Sequence, residues 1–211
     1  KAQSIVDKVK GRDGKVTEYK EHQVKEPHPL LYDLTELQRD ANKLFGYSAK
    51  RTLDSAQRLY ERHKLITYPR TNSRYLSPDL ISQVEKSWHM LAGCGFAEWV
   101  REDLSPEKAL KDRRVFDGSK VSDHHAIIPT GEKIDWESLS ENDKKIMDLI
   151  VKRFIASFYP EAVWVHRSIK TVVEGEKFVS KSKVLLEAGW RAIYGKEEGE
   201  EFLPAVKKGT A

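Results

Sequence analysis

The stretch VWVHRSIKTVVEGEKFVSKSKVLLE, residues 163–187, decides the fold, because the period of the chain changes there. Residues 163–173 and 177–187 alternate and are rich in β-branched side chains, with Glu174-Gly175-Glu176 between them. That pattern predicts a hairpin of two antiparallel strands. Just before it, SENDKKIMDLIVKRFIASFYP (140–160) has the helical period. Ser140 caps it, Asp143 completes a capping-box pattern and Pro160 stops it. Just after it, WRAIYG (190–195) reads as a third strand, and the polar tail 196–211 as loop or frayed end.

Farther toward the N-terminus the chain reads as helical. LTELQRDANKLFG (34–46) puts Leu34, Leu37, Ala41, Leu44 and Phe45 on one face, with Gly46 as a stop. SAKRTLDSAQRLYERH (48–63) begins at Ser48, a good N-cap. Its apolar stripe is Leu53, Ala56, Leu59 and Tyr60, with Arg51, Arg58 and Arg62 largely on the other side. Ser77-Pro78 opens another helix with Leu80, Ile81, Val84, Trp88 and Leu91 inward, ended by Gly93-Cys94-Gly95. Residues 96–120 read as short helices and loops, and VSDHHAIIPT (121–130) as a short extended segment. The opening of the chain, through about Pro29, reads as weak strand and then extended, because Pro27 and Pro29 disfavour helix before them. The expectation is an α+β protein in two domains. The chain leaves a β domain (1–29 and 161–211) for a helical insert (30–160) and returns to it.

Composition narrows the class. A hydrophobic share of 39% with 33% charged residues suits a globular protein with a wet surface. No run approaches the roughly 18 apolar residues of a membrane span, so no membrane partner is expected. The first residues show no apolar signal core, so nothing argues for export. Cys94 is the single cysteine, which excludes an intramolecular disulfide and a thiolate-rich zinc site and fits a reducing compartment. The net charge of +4 is mild, but Gln38–Tyr75 holds nine Lys or Arg against three Asp or Glu. Such a local basic stretch can serve a polyanion.

Inside that stretch lies KLITYPRTNSRYLS (64–77), too polar for a core strand. Tyrosine is a poor nucleophile near neutral pH, since its pKa is about 10. It becomes useful beside a cation and an electrophile such as a phosphodiester. Pro69 biases Tyr68 away from helix, and in an extended segment Arg70 shares its side and reaches the same phosphate. Arg74, Thr71 and Ser73 add phosphate-contacting groups. On these residues alone, a structural loop tyrosine whose OH finds a backbone partner remains the stronger reading. His124 and His125 point to opposite sides of an extended segment; one could contact a phosphate, or one packs while the other is solvated. No HxH, HExxH or acidic cluster accompanies them, so no metal site is expected within the chain. The basic helix 48–63 reads either as a DNA-tracking face or as a solvated one.

Together these stretches resemble type IA DNA topoisomerases, within them the topoisomerase III branch. LYDLTELQRDANKLFGYSAKRTLDSAQRLYERHKLITYPRTNSRYL (31–76) is similar to the segment carrying that family's active-site tyrosine, and SDHHAIIPT to its second signature. The resemblance runs from about Pro27 to Tyr194. It implies that Tyr68 is the nucleophile taking the 5′ phosphate of a cleaved DNA strand and that Arg70 orients and neutralises the scissile phosphate. It aligns His124, and less closely His125, with a DNA-contacting histidine, and Gln57 with a position near bound DNA. Arg58, Asn72 and Arg74 join the DNA-binding set. Many relatives carry Asp where this chain has Asn72, which removes a negative charge near the phosphate. The family also implies a Toprim domain holding Mg2+ on an acidic cluster, and no such cluster is present here. The expectation is therefore a tyrosine-bearing helical domain with part of a β arch. Its Mg2+ would be bound outside this chain, its substrate would be DNA with single-stranded regions, and no ATP would be required. Its expected location is the bacterial cytosol or nucleoid. The competing expectation is a non-catalytic module for single-stranded nucleic acid.

Overall fold

In chain order the regular elements are α1 (Ala2–Val9), β1 (Lys15–Glu26), α2 (Leu34–Phe45), α3 (Ala49–Glu61), α4 (Ile81–Leu91), α5 (Glu141–Ala156), β2 (Ala162–Val173) and β3 (Glu176–Glu187). The computed structural model describes residues 2–195 and 203–210; half of the expected tail, 196–202 and 211, lies outside the described residues. The chain falls into two compact units, Lys1–Pro27 with Glu161–Ala211, and His28–Pro160. The first break comes two residues before the expected position. His28 and Pro29 are consumed inside the helical unit: the His28 ring bonds Asp112 at 2.8 Å, and the Pro29 carbonyl accepts from Ser157.

In the β unit the strand order is β1-β2-β3, all antiparallel. The hairpin turns at Glu174 (φ 48°) and Gly175 (φ 82°). Two left-handed residues give a two-residue turn the twist that the flanking strands need. One expectation fails here and another holds only in part. Residues 190–195 do not form the third strand; Gly189–Tyr194 is a 3-10 turn, and β1 is the third strand. The turn lets the Trp190 indole donate to the Glu26 carbonyl at 3.2 Å and the Arg191 guanidinium grip the Glu26 carboxylate at 2.8 Å. It also buries Ile193. The opening segment holds the expected strand as β1, but a helix, α1, precedes it. Ile5, Val6 and Val9 are β-branched and suggest strand locally, but they sit at helical spacing, and Lys8 pairs with Glu176.

In the helical unit, local caps set the boundaries. Asp33 accepts from the Glu36 amide, Ser48 from Arg51, and Ser140 from Asp143. α2 stops at Gly46, φ 67°, whose amide closes back on Ala41 and Asn42. α5 is the central element. Ile146, Met147, Ile150, Val151, Phe154 and Ile155 are fully buried, and it packs against α2 and α3. Trp88 of α4 meets Phe158 edge-on at 5.5 Å, and Phe158 meets Phe154 at 5.1 Å. Such buried aromatic groups contribute most of a core's apolar area. Leu44, expected inward, is 58% exposed, because the inward face of α2 is completed by Leu37 and Ala41.

Candidate active site

α3 is followed by Lys64 in the left-handed region (φ 58°), which turns the chain sharply into residues 65–76. Leu65, Ile66, Thr67 and Pro69 are buried and anchor this segment to the core. From Pro69 burial alternates: Thr71 and Ser73 point in, Arg70 and Asn72 out. That is the period-2 pattern of extended backbone. It places Tyr68, Arg70 and Asn72 on one parity and Thr71 and Ser73 on the other.

Residues 124–130 run antiparallel to this segment. The Thr130 amide donates to Leu65 O and the Thr67 amide to Ile128 O, while on the far side Ile127 N donates to Tyr32 O. This lays the second motif directly against the tyrosine loop. The Tyr68 ring is half-buried, 4.4 Å from the His124 ring and 5.4 Å from Tyr60 in an edge arrangement, measured between centroids. Its hydroxyl makes no hydrogen bond among the described residues. Beside it opens a cleft of about 400 Å³ lined by Leu34, Thr35, Arg70, Thr71, Asn72, Ser122, Asp123 and His124. Tyr68 is not itself part of that lining; His124 connects the two.

The other expected residues divide. Arg70 and Asn72 are exposed and make no side-chain hydrogen bond among the described residues. His124 is exposed, whereas His125 is half-buried and its Nδ1 donates to Ala126 O at 2.8 Å. The pair thus splits into one outward and one anchored ring. Gln57 is half-buried on α3, with no side-chain hydrogen bond among the described residues. Arg74 is anchored by Nε to Leu31 O at 3.2 Å.

Arg58, expected to contact DNA, is engaged within the helical unit. Its Nε and Nη2 hold both oxygens of Asp143, at 3.2 and 2.8 Å, and Nη2 also reaches Ser55. The Asp143 side chain is 3% exposed. Burial pushes that carboxyl up, but hydrogen bonds from Arg58, Ser140 and Ser55 outweigh it and hold it below the ordinary carboxylate range. Thr71 and Ser73 likewise differ from phosphate-contacting groups. Their hydroxyls are turned inward and donate to the carbonyls of His124 and Lys120.

Sequence reasoning missed the cleft residues Thr35, Ser122 and Asp123 and the inward hydroxyl of Thr67. Ser122 and Asp123 adjoin the histidines in the same motif, which was a usable signal; Thr35 carried none. Among the described residues no group of three or more His, Cys, Asp or Glu is gathered to hold a metal ion. No helix among them is long and apolar enough to cross a membrane.

The family model described as DNA topoisomerase matches residues 1–211. A protein named DNA topoisomerase 3 from Bacillus cereus is 40% identical over 225 residues, covering 99% of this chain and 30% of that protein. One of the same name from Bacillus subtilis is 39% identical, covering 97% of this chain and 29% of its own length. The solved full-length topoisomerase I of Thermotoga maritima superposes with a TM-score of 0.71 at 21% identity, over 100% of this chain and 34% of its own. The chain thus spans about a third or less of these proteins.

Proposed function

Because this chain belongs to the DNA topoisomerase family, we propose that it is the strand-cleaving, tyrosine-bearing part of a type IA enzyme of the topoisomerase III branch. One observation supports this most: a phenol with no hydrogen-bond partner among the described residues, packed at a tilt against His124 next to a cleft that Arg70 lines.

The chemistry follows from that arrangement. The Tyr68 oxygen attacks the phosphorus of a DNA phosphodiester. A P–O bond to the phenol forms as the bond from phosphorus to the 3′ oxygen breaks. The phenol gives up its proton and the departing 3′ oxygen acquires one. The product is a 5′-phosphotyrosine ester and a free 3′ hydroxyl. Attack by that hydroxyl reverses the step, so the ester stores the energy of the broken bond and no ATP is consumed. Arg70 offsets the charge that builds on the phosphate oxygens. His124 contacts the same strand, with Gln57, Asn72, Arg74 and His125 along its path. A strand passes through the break before resealing. Mg2+ would be held by an acidic Toprim cluster elsewhere in the whole protein, where it would neutralise further phosphate charge. The substrate is DNA with single-stranded regions, and the setting a bacterial cytosol.

The test is covalent trapping with the whole protein that carries this chain. Tyr68→Phe removes one oxygen, so DNA binding should persist while the protein–DNA adduct disappears. An adduct that survives the substitution puts the nucleophile elsewhere. Binding without an adduct in the unaltered protein would leave a nucleic-acid-binding module.

A further inference from the structure

Two threonines flank Tyr68, and both are buried. The Thr67 hydroxyl donates to Ala126 O at 3.1 Å and accepts from the Ile128 amide at 3.0 Å. The Thr71 hydroxyl donates to His124 O at 3.0 Å and accepts from the Ser73 amide at 3.0 Å. Each hydroxyl thus uses its one proton on the histidine segment and a lone pair on a backbone amide. Between Thr67 and Thr71 the expected ladder is broken. Pro69 has no amide proton to give, and no backbone-to-backbone hydrogen bond joins 68–71 to 122–126 among the described residues. The side-chain hydroxyls stand in for it. As the chain advances from 67 to 71 the accepting carbonyl moves back from 126 to 124, in the antiparallel direction. The carbonyl taken by Thr71 belongs to His124 itself.

We propose that Thr67 and Thr71 are positioning residues, whose hydroxyls clasp the histidine segment on either side of Tyr68 and set the approach of its phenol to His124. This rests on Tyr68 being the nucleophile, as proposed above. Neither threonine touches the DNA; both act through the geometry of the two rings. Without the clasp, the backbone holds Thr71 only from the other side, through the Leu34 amide on Thr71 O, and nothing ties residues 68–71 to the histidine segment. A misplacement of about 1 Å at a reacting atom costs on the order of a hundredfold in rate.

Valine and serine separate the roles of shape and hydroxyl. Thr71→Val keeps the β-branch and deletes the proton and lone pairs; Thr71→Ser keeps the hydroxyl and deletes a methyl. In the whole protein carrying this chain, Thr71→Val should slow single-turnover cleavage of an oligonucleotide by about 10- to 100-fold with DNA affinity unchanged. Thr71→Ser should recover most of the rate, and Thr67→Val with Thr67→Ser repeat the comparison at the other end. A second readout is independent of catalysis. With histidine 13C-labelled at Cε1, the His124 ring proton should carry a ring-current shift from Tyr68. That shift should shrink in Thr71→Val and return in Thr71→Ser. Wild-type cleavage and an unmoved ring signal in the valine variants would overturn the proposal, as would serine variants as impaired as valine. If the unaltered protein forms no adduct at Tyr68, the assignment of the nucleophile fails instead, and the ring shift still decides whether the hydroxyls set the two rings.

Discussion

Arg58 and Arg70 are both basic residues near the tyrosine, yet their surroundings give them different work. Arg58 is committed to Asp143, whose carboxylate has almost no contact with solvent. Arg70 is exposed and lines the cleft. Removing Arg58 strands a buried charge. Such losses cost about 3–5 kcal/mol when both partners are buried; Arg58 is itself 42% exposed, so about 2 kcal/mol is expected for Arg58→Ala. Urea denaturation would measure it. Single-stranded DNA binding by the same variant should keep its salt dependence. Arg70→Ala should do the reverse, leaving stability unchanged while the slope of log K against log salt falls by about 0.7, the loss of one phosphate contact on a single strand. Equal salt slopes for the two variants would mean that Arg70 makes no such contact. Tyr68 and Arg70 could be read together because one short motif holds both, and His124 because a second motif, 56 residues on, carries it. Arg58 was not, because its partner lies on α5, far along the chain, and a helical wheel shows only which side a residue occupies.

Caps and short turns could be read at the scale of elements, since they depend on neighbours within a few positions. Ser48, Ser140 and Gly46 all act as their sequence contexts predict. Gly46 offers a clean test. A methyl added there would meet nothing within 4 Å, so Gly46→Ala isolates the backbone cost of φ 67°, about 1 kcal/mol, readable in a thermal melt. β1 was harder to read. KVTEYKEHQVKE offers few apolar residues, and pairing with β2 makes it a strand. Residues 189–194 failed for the opposite reason: their aromatic and branched side chains suit a strand, but anchorage to Glu26 fixes a 3-10 turn. The loop behind the histidines shows the same dependence on partners. Asp117 is held at about 2, chiefly by the Ser119 hydroxyl, with Lys120 and Arg113 adding and burial opposing. Its amide also donates to Leu76 O. A folded-state pKa below the unfolded value of about 3.9 means stabilisation that is complete above about pH 4 and lost as pH falls toward 2. Asp117→Asn should therefore flatten the acid limb of the stability curve between about pH 4 and 2. An unchanged limb would show that Asp117 does not supply that dependence.

The division of the whole molecule into a helical unit bracketed in sequence by β segments follows from one change of period near Pro160. The chain covers only about 30% of its relatives' length, and that bears on what it can do by itself. On the proposed reading, Tyr68, Arg70 and His124 would supply a nucleophile, one countercharge and a ring packed beside the nucleophile. A phosphodiester passing through attack and departure needs more compensation than one guanidinium provides, and preorganised charge is the largest single source of rate in such sites. Among the described residues no acidic group is assembled to bring a metal ion to the phosphate. The 211 residues by themselves should therefore bind single-stranded DNA in a salt-dependent manner and form no detectable covalent adduct, with or without added magnesium. The whole protein should form the adduct under the same conditions. Denaturing gel electrophoresis with an end-labelled oligonucleotide distinguishes the two. A magnesium-dependent adduct on the short chain, at the rate of the whole protein and abolished by Tyr68→Phe, would mean that the phosphate charge is met from within these residues. The division of the chemistry between this chain and the rest of the protein would then be wrong, while the assignment of Tyr68 would stand.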